Sequence, residues 1–165
     1  MTEPRFHVVF FQPEIPPNTG STGRLCLATG SRLHLVRPLG FNLDDKQLLR
    51  AGLDYWPEID LRVWDDFADL QAEAGPDARF FYFSTKATRA HWDAKFQPGD
   101  YLVFGPESRG LPESMIFNAP EEHRIRIPME PNARSLNLAT SAGIGLYEAL
   151  RQIEHAADAQ QTNAR

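Results

Sequence analysis

RIPMEPNARSLNLATSAGIGLYEALRQIEHA, residues 126–156, decides how the rest of the chain is read. It runs from a short strand through a polar loop into the longest helical pattern of the sequence. Met129–Arg134 is too polar for a core and ends at Ser135 and Asn137, two residue types suited to a helix N-cap. Leu136, Leu138, Ala139, Ala142, Leu146, Tyr147, Leu150 and Ile153 then recur at helical spacing. Ser141, Gly143 and Gly145 interrupt that pattern. A glycine inside a helix costs roughly 1 kcal/mol against alanine, so two of them imply close approach of another backbone or a ligand. This end of the chain therefore offers a polar loop and a helix N-terminus beside a small-residue face, which suits a ligand site next to a subunit or domain contact.

Upstream, continuous apolar runs read as strands at Phe6–Phe11, Arg32–Val36, Leu61–Trp64, Arg79–Phe83, Tyr101–Phe104 and Arg124–Pro128. Helices are predicted at Arg24–Ala28 (closed by Gly30, with Asn18 and Thr19 able to cap), Asp44–Ala51, from Asp65 and Asp66 to about Glu73, and Pro112–Phe117. His91–Phe96 fits either type. Strands that do not alternate, separated by helices, imply a single α/β domain with a mostly parallel sheet and helices on both faces. That domain is expected over residues 1–156. The Ala, Gln, Asp, Asn and Thr composition after His155 reads as a frayed tail, leaving 157–165 as a flexible segment.

At 165 residues the chain can bury one real core and not two. Hydrophobic residues at 42% and charged residues at 24% exclude a disordered chain. The apolar runs fall well short of the ~20 residues needed to cross a bilayer, so no membrane partner is expected. No basic segment followed by an apolar core opens the chain, so no secretory signal is read. One cysteine, Cys26, cannot form an internal disulfide and points to a reduced, cytoplasmic setting. A net charge of −5 argues against blanket nucleic-acid binding but leaves room for a local basic patch.

Several stretches could carry chemistry. Asn18–Arg24 (NTGSTGR) lacks the third glycine of the dinucleotide fingerprint and the Gly-Lys-Ser/Thr end of a P-loop. It reads as a capped helix start, with Arg24 a fork donor suited to phosphate. Gly105–Pro112 (GPESRGLP) directly follows a strand, where open α/β sheets place ligands. It is either a tight turn with a solvated Glu107–Arg109 pair or one wall of a site. Phe83–Lys86 (FSTK) would be another wall. The five histidines, at 7, 34, 91, 123 and 155, have no metal-type spacing, and no Gly-x-Ser-x-Gly elbow supports a hydrolase. Cys26 and the aromatics Phe80–Phe83 read as core, while Trp56, Trp64 and Trp92 have no assignment.

PEIPPNTGSTGRLCLATG (13–30), YLVFGPESRGLP (101–112) and RIPMEPNARSLNLATSAGIGLYEALRQ (126–152) resemble, in this order, the three motifs of the SPOUT class of RNA methyltransferases. The likeness is greatest to the TrmL-type tRNA (cytidine/uridine-34-2′-O)-methyltransferases and runs from about Phe6 to Gln152. The chain departs at Ser21-Thr22-Gly23, where that family carries an asparagine and bulkier apolar residues. The resemblance implies a C-terminal trefoil knot, against the strong preference for unknotted chains. It implies S-adenosylmethionine, with no metal, bent between the three loops at Phe83, Gly105, Ile127, Ser135 and Leu136. It implies Arg24, Glu107, Ser135 and Asn137 in catalysis or substrate placement, with Arg24 on a phosphate and Asn137 on the ribose. A homodimer built on the first and last helices is implied too, with Gly143 and Gly145 at close approach, and the anticodon arm of tRNA as substrate. Methylation of another tRNA or ribosomal RNA nucleotide, or a non-catalytic RNA- or nucleotide-binding module, are the alternatives. A Rossmann dehydrogenase would need a glycine fingerprint the chain lacks. Common to the methyltransferase readings is that regions near residues 24, 105 and 135 meet at one pocket.

Overall fold

In the computed structural model, which describes residues 3–164, the apolar runs become parallel strands. The elements are β1 (His7–Phe11), α1 (Pro16–Thr29), β2 (Arg32–Val36), α2 (Lys46–Ala51), β3 (Leu61–Trp64) and α3 (Phe67–Ala74). They continue with β4 (Phe80–Phe83), β5 (Arg89–Ala90), β6 (Tyr101–Phe104), α4 (Glu113–Phe117), β7 (Arg124–Arg126) and α5 (Leu138–Asn163). Among the described residues the strands form one seven-stranded sheet in the order β3-β2-β1-β6-β4-β7-β5, and every ladder is parallel.

The strands lack polar alternation because both faces are covered. Val8, Phe10, Phe81, Phe83, Leu102 and Phe104 point to the side packed by Cys26 of α1 and by Leu138, Ala142, Leu146 and Ala149 of α5. Their neighbours Val9, Tyr82, Tyr101 and Val103 point to the opposite side, against Leu70 of α3 and Ile116 of α4. Cys26 is fully buried, and burial pushes its thiol well above the ordinary range, as suits an inert core residue.

Two helices differ from their sequence expectation. The first does not begin near Arg24: it starts at Pro16, because proline at the first helical position has no N–H to leave unsatisfied and its φ is already helical. Asn18 and Thr19 are therefore inside the helix rather than capping it. Gly20 lets α1 sit close to α2, since a Cβ there would lie 2.2 Å from the Leu48 carbonyl oxygen. The last helix does not stop near His155 but continues to Asn163, its residues from Glu154 onward exposed. The His91–Phe96 stretch is a single turn of 3₁₀ helix at His91–Asp93 preceded by the two-residue strand β5. The short apolar pairing there gives no period to read.

On the second face the sheet buries a polar chain. Trp64 Nε1 donates to His34 Nδ1 at 3.0 Å, which places the remaining ring proton of His34 on Nε2, 2.8 Å from His7 Nδ1. His7 in turn stacks on Tyr101 with ring centroids 4.0 Å apart. Burial, then Arg32, pushes His7 down to about 4; burial, then His7, pushes His34 down to about 2. An unfolded chain takes up these protons below its ordinary imidazole value of 6.5. The stability they contribute is complete above that value and is lost as pH falls through about 4 for His7 and further for His34. Asp100, raised by burial to about 6, works in the opposite sense, its contribution being lost as pH rises from 3.8 through 6. The urea midpoint should fall as the pH is lowered from ~6.5 towards 4, and His7→Phe, which keeps a ring on Tyr101, should flatten that fall. An unchanged slope in the variant would remove the imidazole chain from the explanation.

Candidate functional site

The carboxyl ends of β1, β6, β4 and β7 lie side by side in the middle of the sheet, where open parallel sheets hold ligands. The loop after β6 turns back on itself at Gly105. A Cβ there would lie 2.2 Å from the Leu111 amide nitrogen and 2.3 Å from the Gly110 carbonyl carbon, so no other residue fits. Gly110 closes the turn with φ +69° and an N–H donated to the Pro106 carbonyl at 2.9 Å.

This ring presents Glu107 to the start of α1. The N-cap residue there is Ile15, which has no side chain able to cap, and the prolines after it carry no N–H; Glu107 takes the free amides just ahead of the helix. One carboxylate oxygen accepts from the Glu14 N–H at 2.8 Å; the other accepts from the Ile15 N–H at 2.7 Å and from Asn18 Nδ2 at 3.2 Å. A carboxylate at this helix end also suits the positive end of the helix dipole. Glu14 answers in kind, accepting from the backbone N–H of Ser108 at 2.9 Å and its hydroxyl at 2.7 Å. These bonds hold the Glu14 carboxyl below its usual range. Asn18 Oδ1 then accepts from Asn137 Nδ2 at 3.0 Å, and Asn137 Oδ1 caps α5 by accepting from the Thr140 N–H at 3.1 Å. A single hydrogen-bonded line thus joins all three loops.

Between those loops lies a cavity of about 570 Å³, a volume suited to a small organic ligand. Its floor is the Phe83–Phe104 pair, stacked at 4.4 Å between centroids. Gly145 of α5 packs beneath: a Cβ there would come within 2.7 Å of the Phe83 ring. Gly145 is thus a close-approach position against the chain's own sheet.

All five residues expected at the cofactor, Phe83, Gly105, Ile127, Ser135 and Leu136, line this cavity, as do Glu107 and Asn137. Arg24 does not. It is exposed on α1, six residues beyond Asn18 and so about 9 Å further along the helix. The first motif reaches the cavity through Ile15 and Asn18 instead. Nor do Glu107 and Arg109 pair with each other: Arg109 Nη2 donates to Gln12 Oε1 at 2.6 Å. Both Glu107 oxygens being occupied by donors, its carboxylate acts as an anchor for the loops. Asn18 was legible only as a possible cap, and the available signal was Pro16-Pro17, which moves the helix start ahead of it. Among the described residues no cluster of His, Cys, Asp or Glu could hold a metal, and no helix is long and apolar enough to cross a membrane.

A parallel sheet carrying a cavity at its carboxyl edge, with Lys86, Arg109 and Arg134 around it, defines an α/β protein with a ligand-sized site where such sheets hold ligands. Sequence comparison makes this specific: the chain belongs to the SpoU rRNA Methylase family, matched over residues 5–147. It is 54% identical over 152 residues to a tRNA (cytidine(34)-2′-O)-methyltransferase of Methylovorus glucosotrophus, covering 92% of this chain and 97% of that one. A solved structure described as giving insights into the 2-OH methylation of C/U34 on tRNA superposes with a TM-score of 0.85 at 50% identity, covering 91% of this chain and 97% of that one. An AdoMet-bound rRNA methyltransferase of Sinorhizobium meliloti shares the fold, with a TM-score of 0.80 at 24% identity over 91% of this chain and 57% of that one.

Gly145→Ala should cost about 1–3 kcal/mol, because the added methyl displaces the aromatic floor. Urea titration would show the loss of stability, and calorimetry a weaker affinity for S-adenosylmethionine. An alanine that leaves both unchanged would mean that the floor yields at no cost.

Proposed function

We infer that this protein transfers a methyl group from S-adenosylmethionine to the ribose 2′-hydroxyl of nucleotide 34 of tRNA, cytidine or modified uridine. The observation that carries this reading is the convergence of three loops on one cavity through Glu107, Asn18 and Asn137. That convergence occurs in a chain whose near relatives bear the same activity in their names.

The residues present fit the donor. The Phe83–Phe104 floor suits a purine, and the glycine-tight loop at 105–111 brings backbone polar groups to the cavity wall. S-Adenosylmethionine held there would supply an electrophilic methyl on sulfur for the ribose oxygen, with the neutral thioether as leaving group. The main demand on the protein is alignment, and the hydrogen-bonded line across the loops provides a fixed frame for it. Ser135 and Asn137, at the cavity and the head of α5, are assigned to holding cofactor and ribose. Among the described residues no carboxylate or imidazole in the lining is free to act as a base, so the hydroxyl proton goes to water or to an RNA phosphate. Arg24, without an ion pair or hydrogen bond among the described residues, is assigned to the phosphate beside the target nucleotide. A guanidinium has five N–H donors and no acceptor, so it is a grip rather than a base. A cytoplasmic setting belongs to this reading, since tRNA is the substrate.

Two structural inferences accompany it. The strand order supports a trefoil knot: β7 lies between β4 and β5, so the chain leaving β7 must pass the 84–88 connection that bridges those two strands at the same end of the sheet. A homodimer through α1 and α5 is supported by Gly143, where an added Cβ would meet, among the described residues outside its own helix turn, nothing nearer than Leu25 Cδ2 at 4.0 Å. Exposed Ile144 and Tyr147 stand beside it on α5. A helix glycine with no intrachain reason has one if a second copy comes close.

Incubation with tritiated S-adenosylmethionine and tRNA from cells lacking this protein, followed by nucleotide mapping, tests the activity. Label on another nucleotide, or none, would overturn the assignment. Arg24→Ala should abolish turnover while S-adenosylmethionine binding persists; a loss of cofactor affinity would move Arg24 to a different role. Binding of tRNA should weaken steeply with salt.

A further inference from the structure

Resting on the tRNA reading above, the geometry points to Arg109 as the cation that grips an RNA phosphate at the cavity mouth, and to Gln12 as the positioning residue that aims it. Three cationic side chains line the cavity, and all are exposed. Lys86 is already occupied by Glu113 at 2.5 Å. Neither Arg109 nor Arg134 makes an ion pair among the described residues.

Arg109 differs from Arg134 in being fixed. Its Nη2 donates to Gln12 Oε1 at 2.6 Å, an acceptor that is short-range and neutral, so the guanidinium is oriented without being neutralised. The carboxylates around it are bonded elsewhere: Glu107 accepts from the amides before α1, and Glu14, near enough to feel the Arg109 charge, accepts from Ser108. Four further N–H bonds of the planar fork remain for an anion that presents a pair of oxygens, as a phosphodiester does.

Gln12 pays for that orientation in its own backbone. It has φ +52°, and among the described residues no other non-glycine residue is left-handed. Its N–H is tied to the Val36 carbonyl at 2.9 Å, so strand pairing holds the turn in place. A strained residue at the carboxyl end of β1, whose one side-chain bond among the described residues is to an arginine of the cavity, is what a positioning role requires. Neither Gln12 nor its strain is needed by the loop anchors, which run through Glu14, Ile15, Asn18 and Glu107.

The test measures tRNA binding at several salt concentrations, with S-adenosylhomocysteine present to prevent turnover, alongside S-adenosylmethionine affinity and steady-state kinetics. Arg109→Ala should weaken tRNA binding about 10- to 100-fold at low salt and make the log–log salt slope shallower by about 0.7–0.9, the contribution of one phosphate. Its affinity for S-adenosylmethionine should stay within about two-fold of wild type. Gln12→Asn tolerates the left-handed backbone but is one methylene too short. It should raise the KM for tRNA by less than Arg109→Ala does, with kcat nearly unchanged. The double variant should bind tRNA no more weakly than Arg109→Ala alone, since Gln12 acts only through Arg109. An unchanged salt slope would overturn the proposal. So would a defect confined to S-adenosylmethionine, which would make the donor's carboxylate the anion, or additive losses in the double variant. Failure of the tRNA reading itself is distinguishable, because the unsubstituted protein would then leave nucleotide 34 unmethylated.

Discussion

The carboxylate of Glu107 at the start of α1 is the contact on which the site depends. The helix opens with Ile15-Pro16-Pro17, whose prolines bring no amide, so the N–H groups that need partners at this end are those just ahead of its first turn. Glu107 satisfies two of them from a loop more than ninety residues away in sequence and takes a third bond from Asn18. The first helix and the loop after β6 are therefore not independent walls that happen to meet. Each is incomplete without the other, and Asn137 extends the same dependence to α5.

The sheet supplies what that network cannot: a rigid edge. Its central strands are buried on both faces, so the positions of Phe83, Phe104 and Gly105 follow from the packing of two layers of helices rather than from loop conformation. Gly145 is where the layers touch the site directly. The helix gives up a side chain so that α5 can lie against the aromatic floor. The propensity cost of that glycine is visible in the sequence, but its cause is visible only in three dimensions.

Much of this was readable beforehand, and unevenly so. Five strands were read to within a residue because buried parallel strands are short, apolar and bounded by polar residues. The family resemblance rested on loop motifs, and those loops do meet. The boundaries of α1 and α5 were misjudged for opposite reasons. At α1, polar and glycine residues hid a helix whose buried face is made of Asn18, Thr19, Gly20, Thr22 and Gly23. At α5, an Ala- and Gln-rich end reads as loose composition although both residues favour helix. Arg24 shows a different limit: a motif gives residue types in order, but not which face of a helix carries them. The hydrogen bonds of Glu107 were invisible for a related reason, since its partners are backbone amides, which no residue name announces.

The position of β7 has a consequence for how the chain is made. Strand β5 borders no strand except β7, and β7 is the last strand in sequence. Roughly two-thirds of the polypeptide can emerge from the ribosome and still own only a partial sheet, with the edge beyond β4 open and the cavity lacking one wall. Contacts of such sequence separation form late and slowly. The methyl-transfer site is therefore absent from any nascent product that stops before β7 and the loop that follows it, because one wall of the cavity is then missing.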